Sequence, residues 1–296
     1  LVKVDAGRMN ASALPARPGL RPIRVAAQIH PQHGDYPAMR DAVVRAEALG
    51  YDIAYAWDHF FPLYGDPADR RHLECWSLLA GWAETTSRIE LGPLVACNSY
   101  RNPNLTADIA RTVDRISGGR VILGLGSGWQ RRDYDAYGYP FGTVGSRLQA
   151  LAEAMPVIRD RLQRLDPPPH RRMPILVAGT GVRRTLRIVA EHADAWHAAF
   201  PDRPDQLEAP VAALRRWCDE LGRDPAAIEW SLGVEPEDLE RFLVRDADTY
   251  LEMGFSQFTL GFDGPSWTVE AGRAWLAWRD ERNASRPARP ADPVTA

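Results

Sequence analysis

Cysteine is scarce: only Cys75, Cys97 and Cys218 occur in 296 residues, far apart and without a C-x-x-C pair. Neither a disulfide framework nor a thiolate zinc site is expected, and a reducing cytoplasm fits best. Positive charge is not in surplus either, since 36 Lys+Arg face 39 Asp+Glu for a net charge of −3. A chain without a basic excess is not expected to grip nucleic acid. No run of 18 apolar residues exists, and the N-terminus lacks the order of charged, apolar and small residues that marks an export signal, so no membrane partner is expected. The seven histidines form no H-x-x-x-H pair and have no carboxylate at metal spacing, so no metal is expected. A G-K-[ST] phosphate loop is missing, and Ser127 in G-L-G-S-G is out of frame for a hydrolase elbow.

What is present is a rhythm. Hydrophobic residues make up 45% and charged residues 25%, as in globular proteins, and short apolar runs alternate with segments of helical period. The apolar runs cover residues 23–29, 53–57, 89–96, 121–125, 175–178, 193–198, 228–234 and 255–260. Helical segments cover 37–49, 74–84, 103–116, 146–165, 182–191, 206–221, 237–253 and 267–280. In the first of these, Met39, Val43, Ala46 and Leu49 fall on one face, and Gly50 stops the helix. The run from 193 is short enough to be a loop instead. Eight strand-helix units without a linker predict an α/β fold, a closed (β/α)8 TIM barrel, as one domain over 23–282. Residues 1–22, with three prolines and no periodicity, read as a loose arm, and 283–296 as a loose tail.

Such a barrel carries its site at the C-terminal ends of the strands. After the second strand come Trp57, Asp58, His59, Phe60 and Phe61. An imidazole beside a carboxylate can be held in one tautomer and exchange a proton with a bound ring, although the same pair also serves as a loop cap and a packed ring. The third strand leads into Asn98, Ser99 and Arg101, polar groups at the mouth that fit loop capping equally well; Cys97 beside them reads as a buried filler. After the fourth, Gly124, Gly126 and Gly128 strip side chains from one face, which admits a flat ligand or phosphate to the backbone, or tight packing at a barrel corner. Trp129 excludes a dinucleotide fingerprint there. After the fifth, Gly179, Thr180 and Gly181 run toward a helix with Arg183 and Arg184, a phosphate cradle or a simple capped helix.

Several blocks together resemble the bacterial-luciferase-like superfamily, and within it most closely the deazaflavin (coenzyme F420)-dependent oxidoreductases of actinobacteria. They are Asp58-His59-Phe60, L-G-P-L-V-A-C-N-S-Y-R-N-P (91–103), I-S-G-G-R-V-I-L-G-L-G-S-G-W (116–129), Ala136-Tyr137-Gly138, and P-I-L-V-A-G-T-G-x-R-R-T-L-R-I-V-A-E-H-A-D-A-W (174–196). The resemblance covers about 23–280 and implies a barrel that holds a flavin or deazaflavin at the strand ends, usually as a homodimer. It implies a non-proline cis peptide within Leu94, Val95 and Ala96 that supports the ring. Asp58 and His59 would lie beside the ring, Asn98 and Gly126-Ser127-Gly128 would contact ring or ribityl chain, and Gly179-Thr180-Gly181 would meet the phosphate. The chain departs from the family in two places. Only residues 166–173 precede the fifth strand, where relatives commonly carry a hairpin, and Trp129 stands where some deazaflavin sugar dehydrogenases place glutamate, so sugar oxidation is not expected.

The expectation is hydride transfer between F420 and a small organic substrate, with His59 supplying a proton and Trp57, Phe60, Phe61 and Trp129 walling the pocket. The alternatives are an FMNH2-dependent monooxygenase and a non-catalytic flavin-binding barrel. Of the ten tryptophans, Trp217, Trp275 and Trp278 fall on outer helices, where they pack the shell or a subunit contact.

Overall fold

The computed structural model describes residues 21–285. Its strands are β1 (Arg24–Ile29), β2 (Ile53–Ala56), β3 (Glu90–Pro93), β4 (Ala96–Cys97), β5 (Leu123–Gly126), β6 (Ile175–Ala178), β7 (Ala195–His197), β8 (Glu229–Val234) and β9 (Gln257–Phe262). Its helices are α1 (Tyr36–Leu49), α2 (Cys75–Thr85), α3 (Pro103–Ser117), α4 (Arg131–Tyr137), α5 (Val144–Arg164), α6 (Thr185–His192), α7 (Glu208–Glu220), α8 (Leu239–Arg245), α9 (Ala247–Met253) and α10 (Arg273–Ala284). The strands form one parallel sheet in the order β3-β2-β1-β9-β8-β7-β6-β5-β4. Its two ends meet through the Leu91–Val121 bridge, so the sheet curls into a nearly closed (β/α)8 barrel.

Nine strands occupy eight positions because the third run, expected as one strand over 89–96, is broken into β3 and β4. The peptide between Leu94 and Val95 is cis. Gly124 and Gly126 make room for the broken segment: a Cβ on Gly124 would stand 2.1 Å from the Pro93 carbonyl oxygen, and one on Gly126 would stand 2.6 Å from Val95 Cγ2. The seventh helical segment is likewise two helices, α8 and α9, and α6 begins at Thr185 rather than 182. The run from 193, short as it is, does pair as β7. Arg21 and Asn283, assigned by sequence to the loose ends, are tied to the barrel. Arg21 donates to the Ala226 and Ala227 carbonyls, while Asn283, inside α10, exchanges hydrogen bonds of 2.8 and 2.9 Å with the Ile23 backbone. The rest of both expected ends, 1–20 and 286–296, lies outside the described residues. No described helix is long and apolar enough to cross a membrane.

Strand residues alternate between two environments. Val25, Ala27, Ile29, Leu123, Val177, Trp196, Leu232 and Phe258 point outward and join the helices in the main core. Inside, an apolar layer includes Ala26, Ile53, Ile122, Leu176 and Ala195. Beside it Arg24 pairs with Glu90 and Glu229, and a polar layer continues from Arg24 through Gln257. There Gln257 Nε2 reaches Tyr55 Oη at 3.1 Å and Ser231 Oγ at 3.0 Å, and Ser231 Oγ lies 3.0 Å from His197 Nδ1. His197 is buried, at 3% exposure, and desolvation alone pushes its pKa down to about 3.

Two outcomes follow from this interior. Gly124→Ala forces a methyl into the Pro93 carbonyl and is expected to lower stability by about 1–3 kcal/mol, read as a fall in the urea midpoint; an unchanged midpoint would refute the close approach. The unfolded chain protonates His197 near the ordinary 6.5 and the folded chain only near about 3, so this group's contribution is complete above pH 6.5 and is lost as pH falls toward about 3. His197→Leu is therefore expected to lose less stability than the parent between pH 7 and 4, and parallel slopes in urea melts would contradict the buried neutral ring.

Candidate active site

The chemistry-bearing side chains gather where the strands end. Trp57, directly after β2, turns inward and stacks on His30, which follows β1, with ring centroids 4.2 Å apart. Its indole Nε1 donates to His72 Nε2 at 3.1 Å. His59 meets Trp57 edge-on at 5.9 Å and Trp129 edge-on at 5.6 Å. Trp129 is 63% exposed at the rim, so one indole is buried beneath the mouth and another stands over it.

The carboxylate that holds His59 is not its neighbour in sequence. His59 Nδ1 lies 2.6 Å from Asp133 Oδ2, and Tyr100 donates its hydroxyl to the same oxygen at 3.2 Å. Asp133 is fully buried, and its other oxygen has no partner among the described residues. Burial, with Cys97 and Asp133 nearby, lifts the Tyr100 phenol well above its ordinary value, so it stays a neutral donor. With Nδ1 committed to Asp133, His59 keeps Nε2 for whatever fills the mouth.

Asp58 has a different task. It accepts Arg101 Nη1 at 2.6 Å, Arg101 Nη2 at 2.9 Å and the Cys97 N–H at 3.0 Å. The expected Asp58–His59 partnership is thus replaced by a buried ion pair that anchors the restart of strand three. Phe60 and Phe61, expected as pocket wall, pack against the aromatic side chains of the neighbouring units. Phe60 stacks on Tyr137 at 4.0 Å and packs on Tyr100 at 4.6 Å, while Phe61 lies edge-on to Tyr137 beneath the Arg132 guanidinium. Both clamp α4, the short helix that carries Asp133 and that sequence periodicity did not reveal. In Arg131–Tyr137 only Asp133 and Tyr134 are buried, too few for an apolar stripe. The signal that was available is a carboxylate four positions after Trp129.

A second histidine-carboxylate pair escaped the sequence reading. His30 Nδ1 lies 2.7 Å from Asp263 Oδ1, just past β9, and 2.7 Å from the Tyr64 hydroxyl, which also bonds Asp263. Burial pushes the His30 imidazole below the ordinary value against the pull of Asp263. Burial alone would raise Asp263, but the bonds from His30 and Tyr64 hold it low, so Asp263 stays ionised and accepts the hydrogen bond that His30 Nδ1–H donates.

The remaining predicted residues lie at or just after the strand ends. Leu94, Val95 and Ala96 form the break in strand three, and Gln28 Nε2 supports the Leu94 carbonyl at 3.0 Å. Asn98 opens a single 3₁₀ turn after β4. Gly126 and Gly128 serve packing: Gly126 faces Val95, and a Cβ on Gly128 would meet Tyr134 Oη at 1.9 Å and Cys97 Sγ at 2.6 Å. Between them the Ser127 carbonyl accepts Tyr134 Oη at 3.3 Å. Gly179, at φ 125°, takes the His197 carbonyl through its N–H and gives its own carbonyl to Trp196 Nε1. Thr180 and Gly181 follow it into the turn before α6, whose first residue no side chain caps. That uncapped start borders a cleft of about 410 Å³ lined by Val144, Gly145, Leu148 and the 181–185 turn with Arg183 and Arg184. The first turn of α6 has no side-chain cap, and with two guanidinium groups beside it this end offers donors suited to an anion. Among the described residues no group of three or more His, Cys, Asp or Glu is placed to hold a metal ion.

This architecture has known relatives. An uncharacterised protein of Mycobacterium tuberculosis is 27% identical over 227 residues, covering 67% of this chain and 80% of that one. A phthiodiolone/phenolphthiodiolone dimycocerosates ketoreductase of the same organism is 27% identical over 245 residues, or 71% of this chain, which spans 63% of that protein's length. Among solved structures, an F420-dependent secondary alcohol dehydrogenase in complex with an F420-acetone adduct superposes with a TM-score of 0.75 at 16% identity, over 86% of this chain and 98% of that one. A monooxygenase from Streptomyces bottropensis gives a TM-score of 0.65 at 17% identity, over 88% and 98%. At these identities the two structures speak for the fold. The sequence profile of the luciferase-like monooxygenases matches residues 20–236, most of the barrel, and this chain belongs to that family.

Proposed function

We propose that this protein is a deazaflavin (F420)-dependent oxidoreductase that moves a hydride between the cofactor and a small neutral alcohol or carbonyl compound. The observation that carries the reading is the His59–Asp133 pair, set at the barrel mouth between Trp57 and Trp129. The similarity to a secondary alcohol dehydrogenase and the identity shared with a ketoreductase support this direction of chemistry. The family's monooxygenases support the second reading, an FMNH2-dependent oxygenation at the same mouth.

The residues present fit such a cofactor. The break at Leu94, Val95 and Ala96, with Asn98 and Ser127 near it, would seat the ring, and Gly179, Thr180 and Gly181 with the uncapped start of α6 would take a phosphate. When bound, a deazaflavin or flavin supplies hydride exchange. The chain's own part is the proton. As an alcohol carbon gives up its hydride, the hydroxyl proton passes to His59 Nε2, and Asp133 holds the ring in the Nδ1–H tautomer and balances the imidazolium that forms. In the reverse direction the same imidazolium returns the proton to the carbonyl oxygen. Trp57 and Trp129, edge-on to His59 on either side, would narrow the access of water to the reacting carbon. A homodimer is the assembly we propose, after the family resemblance.

Titrating the protein separately with F420 and FMN while following tryptophan fluorescence is expected to show tight binding of F420; tight binding of FMN alone would overturn the choice of cofactor. His59→Ala is expected to keep cofactor affinity and lose about 10²–10⁴-fold in turnover, with Asp133→Asn falling in the same direction. Unchanged turnover in His59→Ala would remove the proton role.

A further inference from the structure

Beneath the mouth lies a chain of buried polar side chains that the proton step does not use, and its hydrogen-bond directions can be assigned atom by atom. Arg24 Nη2 lies 3.4 Å from Gln257 Oε1. A guanidinium has only donors, so the amide must turn its oxygen down toward Arg24 and its nitrogen up. Gln257 Nε2 then donates to Ser231 Oγ and Tyr55 Oη. Ser231 is fully buried, and among the described residues its Oγ meets only Gln257 Nε2 and His197 Nδ1. Gln257 fills one acceptor position, which leaves the serine proton to His197 Nδ1 if no buried group is to go unsatisfied. Nδ1 is therefore an acceptor, and the single proton of the neutral ring sits on Nε2.

The ring also stays neutral. Only desolvation shifts its titration, downward, with no charged group contributing. Nε2 is the edge of the ring farthest from the β7 backbone, and among the described residues it forms no hydrogen bond. Phe200 lies edge-on to the imidazole at 5.9 Å and covers Gly233, where a Cβ would come within 2.2 Å of the phenyl ring. His197 thus stands at the floor of the mouth with one fixed donor to offer.

We propose that His197 is a ligand-binding residue: a tautomer-locked, uncharged Nε2–H donor at the barrel floor that takes a neutral carbonyl-type acceptor of the bound molecule. This rests on the reading of the mouth as the ligand site. An uncharged donor pairs with a carbonyl oxygen without a charge to balance, whereas an anionic group is better served by Arg183 and Arg184 at the start of α6. The floor and the α6 turn thereby sort two ends of one ligand by charge.

Long-range ¹H–¹⁵N spectra of the histidine rings test this on the intact protein. The free protein is expected to show His197 protonated at Nε2 and not at Nδ1, unchanged from pH 5 to 8, and Ser231→Ala is expected to give a mixture of tautomers. Saturation with FMN or F420, whichever binds, is expected to move the His197 Nε2 resonance, and His197→Phe to weaken that affinity about tenfold. An Nδ1-protonated ring, a ring that gains a second proton above pH 5, or an Nε2 resonance unmoved in a saturated complex would overturn the proposal. Failure of both cofactors to bind would remove the proposed function, while the spectrum of the free protein would still decide the tautomer lock.

Discussion

The mouth of this barrel hangs on one buried ion pair, Asp58 with Arg101. The Asp58 side chain is 1% exposed and accepts both guanidinium nitrogens together with the Cys97 N–H. It thereby joins the end of β2 to the point where strand three resumes. Arg101 reaches on to Glu74 at 3.0 Å, the N-cap of α2, so three successive units share one charge cluster. Removing one partner from such a pair leaves a buried charge uncompensated, at about 3–5 kcal/mol. The broken segment from Leu94 to Ala96, the seat of Val95 against Gly126 and the approach of His59 to Asp133 all depend on where that junction holds the chain.

Around the junction the barrel places two imidazoles on different sides of Trp57, each with its own carboxylate. His59 takes Asp133 from a short helix after β5, and His30 takes Asp263 from the end of β9. One pair is stacked under the indole and buried, and the other meets it edge-on with a partly open face. Burial separates their chemistry: His30 is held neutral and fixed, whereas His59 keeps contact with the mouth. Sequence arithmetic alone does not distinguish two histidines that both follow strands; depth in the barrel does.

Much of the architecture was legible because it is written in local periods. Apolar runs for strands and 3.6-residue periods for helices gave all eight units, and the glycine-proline punctuation marked their ends within a few residues. The misses share a cause. The break in strand three, the division between α8 and α9, and α4 itself are set by contacts with distant segments rather than by local pattern. The same holds at the site. The partner of His59 lies 74 positions away, and the stacking of Phe60 on Tyr100 and Tyr137 joins three segments that no local pattern relates. A neighbour in sequence was the natural partner for His59, and the fold gave that neighbour to Arg101 instead.

The central claim is that the break in strand three and the His59–Asp133 pair together form a cofactor site. A crystal structure of the protein soaked or co-crystallised with F420 tests it most directly. The account predicts the ring against Leu94, Val95 and Ala96 with His59 beside it and the phosphate at the start of α6. Cofactor bound elsewhere on the barrel, or a ring with His59 out of reach, would contradict it.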